Sequence, residues 1–243
     1  MADLIEIFPH GVKSGYVTLI QALKTVLKKI GWLTILDNKS KHSPRYHYLR
    51  SLLAIHQLDD MIQLDVPWWT YSAISFIEQF IQTLPPTVTV FEYGSGASTL
   101  WLAKRLGQVI SVEHDSTWYQ QLKSKITDPN IELLLKQPSK ANGTSIYRSV
   151  KMPHYNFAEY VDAIKAYPTQ FDIIIIDGRC RNDCLRVALP YLKPEGIIIF
   201  DNSNRQRYQS ALKQSKLCIK RFKGRVPGSP LPSETAILSH QEL

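Results

Sequence analysis

Residues 87–105, TVTVFEYGSGASTLWLAKR, predict a buried strand, a glycine turn and a helix in succession. Val88, Val90 and Phe91 supply the β-branched and aromatic side chains that favour a core strand. Gly94 and Gly96 permit a tight backbone turn, and the helix that follows presents its first free N–H groups to a ligand. A short Gly-x-Gly pattern is also typical of a plain tight turn, so both interpretations stay open here.

Acidic residues follow this strand and three further predicted strands at the point where each ends. The strands at 108–113, 171–176 and 197–200 are apolar, and they lead to Glu113, Asp177 and Asp201 respectively. Glu92 ends the first strand in the same way. Because open α/β sheets bind ligands at the carboxyl edge of their strands, we expect the four acids along one edge that forms a binding site.

This layout resembles the class I S-adenosylmethionine-dependent methyltransferases over roughly residues 70–243. The resemblance rests on the pattern E-x-G-x-G at residues 92–96, Glu113, Asp177, and the L-K-P-x-G turn at residues 192–196 before Asp201. It implies an α/β fold with a Rossmann-like, doubly wound, mostly parallel seven-stranded sheet. An antiparallel C-terminal hairpin completes the sheet, with strands at 217–222 and 235–238 and a loop between them.

The resemblance implies S-adenosyl-L-methionine as the cofactor. In that family the glycine turn holds the methionine half, the first acid reaches its ammonium group through hydrogen bonds, and the second acid holds the ribose. Carried onto this chain, the cofactor-binding residues are Glu92, Gly94, Ser95, Gly96, Ser98, Thr99, Glu113, His114 and Asp177. Thr99 stands where the dinucleotide-binding fingerprint has its third glycine, so an NAD-dependent oxidoreductase fits less well.

The ends of the last two parallel strands also suggest a metal site. Asp177, Asp201 and Asn202 offer the hard oxygen ligands that Mg²⁺ prefers, and they resemble the metal-dependent O-methyltransferases of the catechol and caffeoyl-CoA type. Cys180 departs from that pattern, because those enzymes have a lysine there. The metal-free alternative makes Asp177 or Asp201 the general base, with Arg179 and Arg181 holding the acceptor. The predicted catalytic residues are Asp177, Asp201 and Arg179.

The acceptor is less clearly indicated than the cofactor. No Asn/Asp-Pro-Pro-Tyr stretch follows the fourth strand and no Pro-Cys nucleophile is present, so elimination leaves O-methylation of a small-molecule or saccharide-like acceptor. The long connection at 137–170 fits an anionic or sugar-like acceptor, or else a solvated loop; its cations and aromatics are Lys140, Tyr147, Arg148, Lys151, His154 and Tyr155. An RNA methyltransferase using the basic C-terminal face, and a non-catalytic cofactor-binding module, are the alternatives.

The length and composition of the chain indicate its domain organisation, its type of partner and its compartment. The 243 residues suit one methyltransferase domain, residues 65–243, behind a helical extension, residues 1–64. A formal charge of +8 favours an anionic partner. Three cysteines without disulfide or zinc spacing indicate a reducing compartment, and no stretch has the length of a transmembrane segment or the layout of a signal peptide. We therefore expect a cytoplasmic protein.

In the N-terminal extension, the spacing of apolar residues predicts an amphipathic, basic helix at residues 16–30, with Gly31 as its terminator. Such a helix packs on its own domain, joins two subunits of a homodimer, or lies on an anionic membrane surface. The polar and basic residues 38–48 read as a linker. The spacing alone does not choose among these roles.

Overall fold

The computed structural model of the protein describes residues 10–54, 57–142, 144 and 146–242. Its centre is a seven-stranded sheet in the order β3-β2-β1-β7-β8-β10-β9, parallel except where β10 pairs with β8 and β9. The strands are β1 (Thr89–Tyr93), β2 (Gln108–Glu113), β3 (Ile131–Leu135), β7 (Phe171–Ile176), β8 (Leu192–Asp201), β9 (Cys218–Val226) and β10 (Ser229–Ser239). The predicted fold class is confirmed.

Helices cover both faces of this sheet. They are α5 (Tyr71–Gln82), α6 (Ala97–Ala103), α7 (Ser116–Lys123), α9 (Arg181–Ala188) and α10 (Gln206–Gln214). Ile173 and Ile175 of β7 pack on the face that α5 and α6 cover, whereas Ile174 and Ile176 pack on the face of α9 and α10. Successive side chains of a strand point to opposite faces, which is why this central strand is apolar throughout.

The connection between β3 and β7 forms a second, small sheet. Its strands β4 (Ser139–Lys140), β5 (Arg148–Ser149) and β6 (Met152–Asn156) are antiparallel in the order β4-β6-β5. A short helix, α8 (Ala158–Val161), then returns the chain to the main sheet. The long connection predicted from the sequence is thus ordered structure.

Among the described residues, four α-helices precede α5: α1 (His10–Lys29), α2 (Trp32–Ser40), α3 (Pro44–Ser51) and α4 (Leu58–Leu64). The helix predicted at 16–30 overlaps α1, which begins earlier and ends at Lys29; Gly31, at φ 77, lies just beyond it. The linker predicted at 38–48 is wrong, since Pro44 opens a helix there. Arg50, two residues beyond that stretch, is buried and binds Asp37 at 2.6 Å and Asp60 at 2.8 Å.

Hydrogen bonds tie this helical layer to the C-terminal hairpin. The Gly228 amide donates to Ser51 Oγ at 3.1 Å, and the Tyr48 hydroxyl donates to the carbonyl of Ser229 at 3.1 Å. The hairpin turns at Gly228, φ 72, so most of the loop predicted at 223–233 is strand instead. The boundary between residues 1–64 and 65–243 stays a prediction. Within the described ranges, no helix has the length and hydropathy needed to cross a bilayer.

Candidate active site

Two glycine turns meet at the carboxyl edge of the sheet. Gly94, after β1, has φ 95, and a Cβ added there would lie 2.7 Å from the Cα of Gly178. A Cβ on Gly178, after β7, would lie 1.9 Å from the hydroxyl of Tyr160. Neither position has room for a side chain, so the predicted tight turn at Gly94 depends on a second glycine whose role the sequence did not reveal.

Glu92 lies beneath the turn with no exposed surface. Its carboxylate accepts hydrogen bonds from the hydroxyls of Ser98 and Thr99 in α6 and from Ser111 in β2, the last at 2.7 Å. Burial raises the pKa of Glu92 to about 7. Because both oxygens face hydroxyls, any effect of Glu92 on a ligand passes through the turn that it anchors. Ser111 was not predicted, although its position on the neighbouring strand is a usable signal.

Glu113 closes β2 and keeps its carboxylate at the edge of the sheet. Oε1 accepts from the backbone amides of His114 and Asp115 at 2.7 and 2.8 Å, and Oε2 accepts from Ser95 Oγ at 3.1 Å. A carboxylate has about four lone-pair sites, so the described bonds do not use all of them, although the Glu113 side chain is only 4% exposed. The structure therefore brings Glu113 and Ser95 of the glycine turn together, as predicted for a cofactor site.

His114 connects this acid to the loop after β7. Its Nδ1 lies 2.7 Å from Glu113 Oε1, and its Nε2 accepts from Arg179 Nε at 3.3 Å. The ring packs against Phe157 and Tyr160. Arg179, predicted to be catalytic, is thus half-buried and held beside the predicted cofactor residues.

Trp118 of α7 is a further residue at the turn that the sequence analysis did not assign to the site. Its indole Nε1 donates to the carbonyl of Ser95 at 2.8 Å, and its ring lies 6.3 Å from that of Trp68. The bond restrains the turn from the side of α7. Sequence gave no sign of this contact beyond the placement of an aromatic near the start of a helix.

Arg181, at the start of α9, occupies the space between the two predicted metal-binding acids. Nη2 lies 2.7 Å from Asp177 Oδ1, while Nη1 lies 3.6 Å from Asp201 Oδ2 and 3.2 Å from Asn202 Oδ1. Nη1 also donates to the carbonyl of Asp201. The guanidinium supplies a positive charge to all three predicted ligands, so Asp177, Asp201 and Asn202 do not fit a magnesium site. No cluster of metal-ligating side chains occurs elsewhere in the described part of the chain.

The two predicted general bases differ in access. The side chain of Asp201 is 3% exposed, and its Oδ1 accepts from Thr235 Oγ1 at 3.0 Å. Asp201 is therefore enclosed by β10 and Arg181, which corrects its assignment as a base that an acceptor reaches. The side chain of Asp177 is 21% exposed. Burial raises its pKa, and the charge of Arg181 opposes that shift.

Part of the small sheet reaches the same edge. Arg148 and Lys151 line a pocket together with Arg179 and Arg181. Lys140 and Tyr155 instead pair across β4 and β6 and are not among the residues that line this pocket. Tyr147 is buried in the core. The structure thus brings two of the predicted loop cations to the site and directs the other side chains elsewhere.

Comparison with known proteins agrees with this arrangement. Residues 91–203 match a family described as a methyltransferase domain, a span that holds the glycine turn and the acids up to Asp201. Residues 91–203 therefore carry a methyltransferase domain, and the sheet that contains them has the Rossmann-like fold of the class I S-adenosylmethionine-dependent enzymes. S-adenosylmethionine is the cofactor expected of this family. The methyltransferase resembles no curated protein in sequence.

Solved structures share the fold at low sequence identity. A "putative O-methyltransferase" from Klebsiella pneumoniae superposes with a TM-score of 0.50 at 16% identity, covering 91% of this chain and 97% of the other. An rRNA methylase from Streptococcus thermophilus gives 0.46 at 13%, covering 68% and 95%. A precorrin-6y C5,15-methyltransferase from Geobacter metallireducens gives 0.47 at 11%, covering 72% and 91%. At 16% identity the likeness to the Klebsiella pneumoniae structure shows the fold alone.

Proposed function

We propose that the protein transfers the methyl group of S-adenosylmethionine to a hydroxyl oxygen of a small-molecule or saccharide-like acceptor, without a divalent metal. The observation that carries the proposal is Asp177, whose carboxylate is partly exposed at the carboxyl edge of the sheet while Asp201 is enclosed. A hydroxyl is a poor nucleophile at neutral pH, so its methylation benefits from a nearby proton acceptor. Asp177 is that acceptor in the proposal.

The protein has two tasks in this reaction: to align the two substrates and to accept one proton. S-adenosylmethionine supplies a methyl group that its sulfonium already activates. The acceptor oxygen forms a bond to the methyl carbon as the carbon–sulfur bond breaks, and the hydroxyl proton moves to Asp177 Oδ2. Arg181 Nη2 donates to Oδ1 of Asp177 at 2.7 Å and so restrains the carboxylate. Alignment of acceptor and cofactor supplies most of the rate enhancement in such a displacement.

Cofactor binding is tested first, by thermal unfolding with S-adenosylhomocysteine. We expect the ligand to raise the melting temperature of the wild-type protein and to lose this effect in Glu113→Ala, because the predicted ribose acceptor is gone. Glu195→Ala is the matched control, since Glu195 is exposed near the opposite end of β8 and should leave the shift unchanged. Stabilisation by NAD in place of S-adenosylhomocysteine would contradict the proposal.

The chemical step is tested with a panel of hydroxyl-bearing acceptors. Asp177→Asn should lose at least about 100-fold in turnover, the usual contribution of a general base, while it retains S-adenosylhomocysteine binding. Full turnover by Asp177→Asn would exclude this residue as the base. Addition of a chelator should leave the wild-type rate unchanged. Cofactor binding without turnover of any acceptor would instead indicate a non-catalytic binding module.

An RNA acceptor remains the alternative on the basis of the C-terminal cations. Several of these cover aromatic rings of the protein itself: Lys220 Nζ lies 4.6 Å from the ring centre of Phe76, and Arg225 lies 4.9 Å from that of Tyr48. Arg221 pairs with Glu234 at 2.7 Å. These contacts favour a structural role for the basic strand over an RNA surface. Methylation of RNA, with binding that weakens steeply with salt, would reverse that preference.

A further inference from the structure

A pocket beside Asp177 is lined by a concentration of positive charge. Three segments form it: the turn between β5 and β6, the start of α9, and the segment after β8. We name it the arginine pocket. The cations among its described lining residues are Arg148, Lys151, Arg179, Arg181, Arg205 and Arg207. Asp183 is the acid among these lining residues, and it pairs with Arg186 at 2.8 Å.

Several of these cations are held in place by the fold. Arg181 and Arg205 are buried, with 6% and 8% of their surface exposed. Arg207 lies over the ring of Tyr208, 4.8 Å from its centre, and Arg148 Nη2 donates to the carbonyl of Asn142 at 2.9 Å. Bringing like charges together is unfavourable, so a cluster of this kind is suited to a ligand of opposite charge. The planar guanidinium group binds phosphate oxygens in pairs.

The position of the pocket links it to the reaction. Arg181 lines the arginine pocket and also binds Asp177 and Asn202, so the pocket adjoins the proposed base. Ser149 also lines the pocket, and a serine hydroxyl can donate a hydrogen bond to an anion. Asn182 Nδ2 donates to the carbonyl of Arg207 at 3.0 Å.

We propose that the acceptor is a phosphorylated small molecule, a sugar phosphate or nucleoside diphosphate compound, whose phosphate group binds in the arginine pocket. This inference rests on the proposed function, which it makes more specific. A phosphate monoester carries a charge of about −1.5 to −2 at neutral pH, which matches a multiply cationic pocket better than a single carboxylate does. The acceptor is then oriented by its phosphate, and its hydroxyl is aligned with the cofactor.

Binding is measured directly by titration calorimetry with inorganic pyrophosphate, at constant ionic strength set with chloride. We expect wild-type protein to bind it, and Arg207→Ala and Arg148→Ala each to raise the Kd by roughly 10-fold or more, since a charge-assisted hydrogen bond is lost. Lys223→Ala, which removes an exposed cation on β9, is the matched control and should bind as the wild type does. S-adenosylhomocysteine binding by each variant verifies that it is folded.

Other results overturn the inference. Equal pyrophosphate affinity in all variants, or no binding at about 0.15 M salt, would exclude the arginine pocket as a phosphate site. Single-stranded RNA that displaces pyrophosphate at lower concentration than a nucleoside diphosphate would replace the small molecule with a polynucleotide. If pyrophosphate binds as expected but no hydroxyl compound is methylated, the proposed function fails and the anion site stands. If wild-type protein and Arg207→Ala methylate phosphorylated acceptors equally well, the inference fails and the function stands.

Discussion

At the scale of single residues, Glu92 shows how a motif residue serves a site without facing it. The carboxyl group is enclosed by three hydroxyls, so it links β1, β2 and α6 beneath the glycine turn. An enclosed charge is costly, and the pKa of about 7 follows from that cost. The residue therefore couples the geometry of the turn to its own protonation.

This coupling predicts a pH dependence of stability. In the unfolded chain Glu92 loses its proton near pH 4.5, whereas the folded protein keeps it up to about pH 7. The folded state binds more protons in that window, so the free energy of unfolding should fall as the pH rises from about 4.5 to 7 and level off above. Urea unfolding at several pH values measures this slope. Glu92→Gln should flatten it, and an unchanged slope would contradict the role of Glu92.

The contact between the two glycine turns gives a second prediction. Gly178→Ala places a methyl group on the Tyr160 hydroxyl, so it should displace the turns and abolish S-adenosylhomocysteine binding, with a loss of stability of about 1–3 kcal/mol from overpacking. Gly224→Ala is the control, because a Cβ there meets no atom within 4 Å. Binding is measured by calorimetry and stability by urea unfolding. Normal cofactor binding by Gly178→Ala would refute the close approach.

Sequence could predict the acids and glycines of the site because strand ends and turns have local signatures. It could not predict the bridge made by Arg181. That contact arises because Cys180 adopts a left-handed conformation, φ 48, and so starts α9 with Arg181 turned back over Asp177. A non-glycine residue seldom adopts that conformation, and the neighbouring residues contain no pattern that predicts it. The structure therefore gives no support to the possible magnesium site.

At the scale of elements, the ends of the helices determine how firmly the site is held. The C-terminal end of α6, the helix that follows the glycine turn, is closed by a side chain from outside it. Asn130 Nδ2 donates to the carbonyls of Ala103 and Leu106 at 2.9 and 3.0 Å. Carbonyls at a helix end otherwise lack partners within the helix. The segment before β3 therefore supports the helix that carries Ser98 and Thr99.

Asn130→Ala should lower the free energy of unfolding by about 1–2 kcal/mol, because two carbonyl groups lose their donor. Asn38→Ala, at an exposed position of α2, should change it little. Both effects are measured by urea unfolding at the same pH. Equal stability of the two variants would show that solvent replaces Asn130 at the end of α6.

The sequence predicted the strands of the parallel sheet better than the helices before it. A strand buried on both faces has an uninterrupted apolar run, which is easily recognised. The helical layer depends on distant partners: Arg50 is buried because Asp37 and Asp60 converge on it from other helices. Sequence patterns predict that cationic side chains are exposed to solvent, so they do not reveal a buried ion-pair network of this kind.

At the scale of the whole molecule, α1 presents an apolar face outward. Leu19, Leu23, Val26 and Ile30 recur at spacings of four, three and four residues and are between 44 and 65% exposed. This spacing forms the narrow seam that two packed helices bury between them. We propose that the seams of two copies pair, which makes the protein a homodimer through its N-terminal helices.

Sedimentation equilibrium tests this assembly. The wild-type protein should have twice the 27.8 kDa mass of one chain, and Leu23→Glu should reduce it to the single mass by placing a charge in the seam. Gln21→Glu adds the same charge outside the seam and should leave the dimer intact. A monomeric wild type at micromolar concentration would contradict the proposal, and its binding to anionic vesicles would then identify a lipid surface as the partner of α1.

Arg181 also bears on how the enzyme would depend on its surroundings. A guanidinium is covalently part of the chain, so, unlike a bound metal ion, its charge does not depend on the concentration of a ligand. It also stays protonated at every physiological pH. The charges of the acidic strand ends are thereby offset by a group of the chain itself from the moment the protein folds. Replacement of that one side chain by a small neutral residue would leave Asp177, Asp201 and Asn202 facing one another, and a single change of codon is thus a short evolutionary step towards an ion-dependent enzyme.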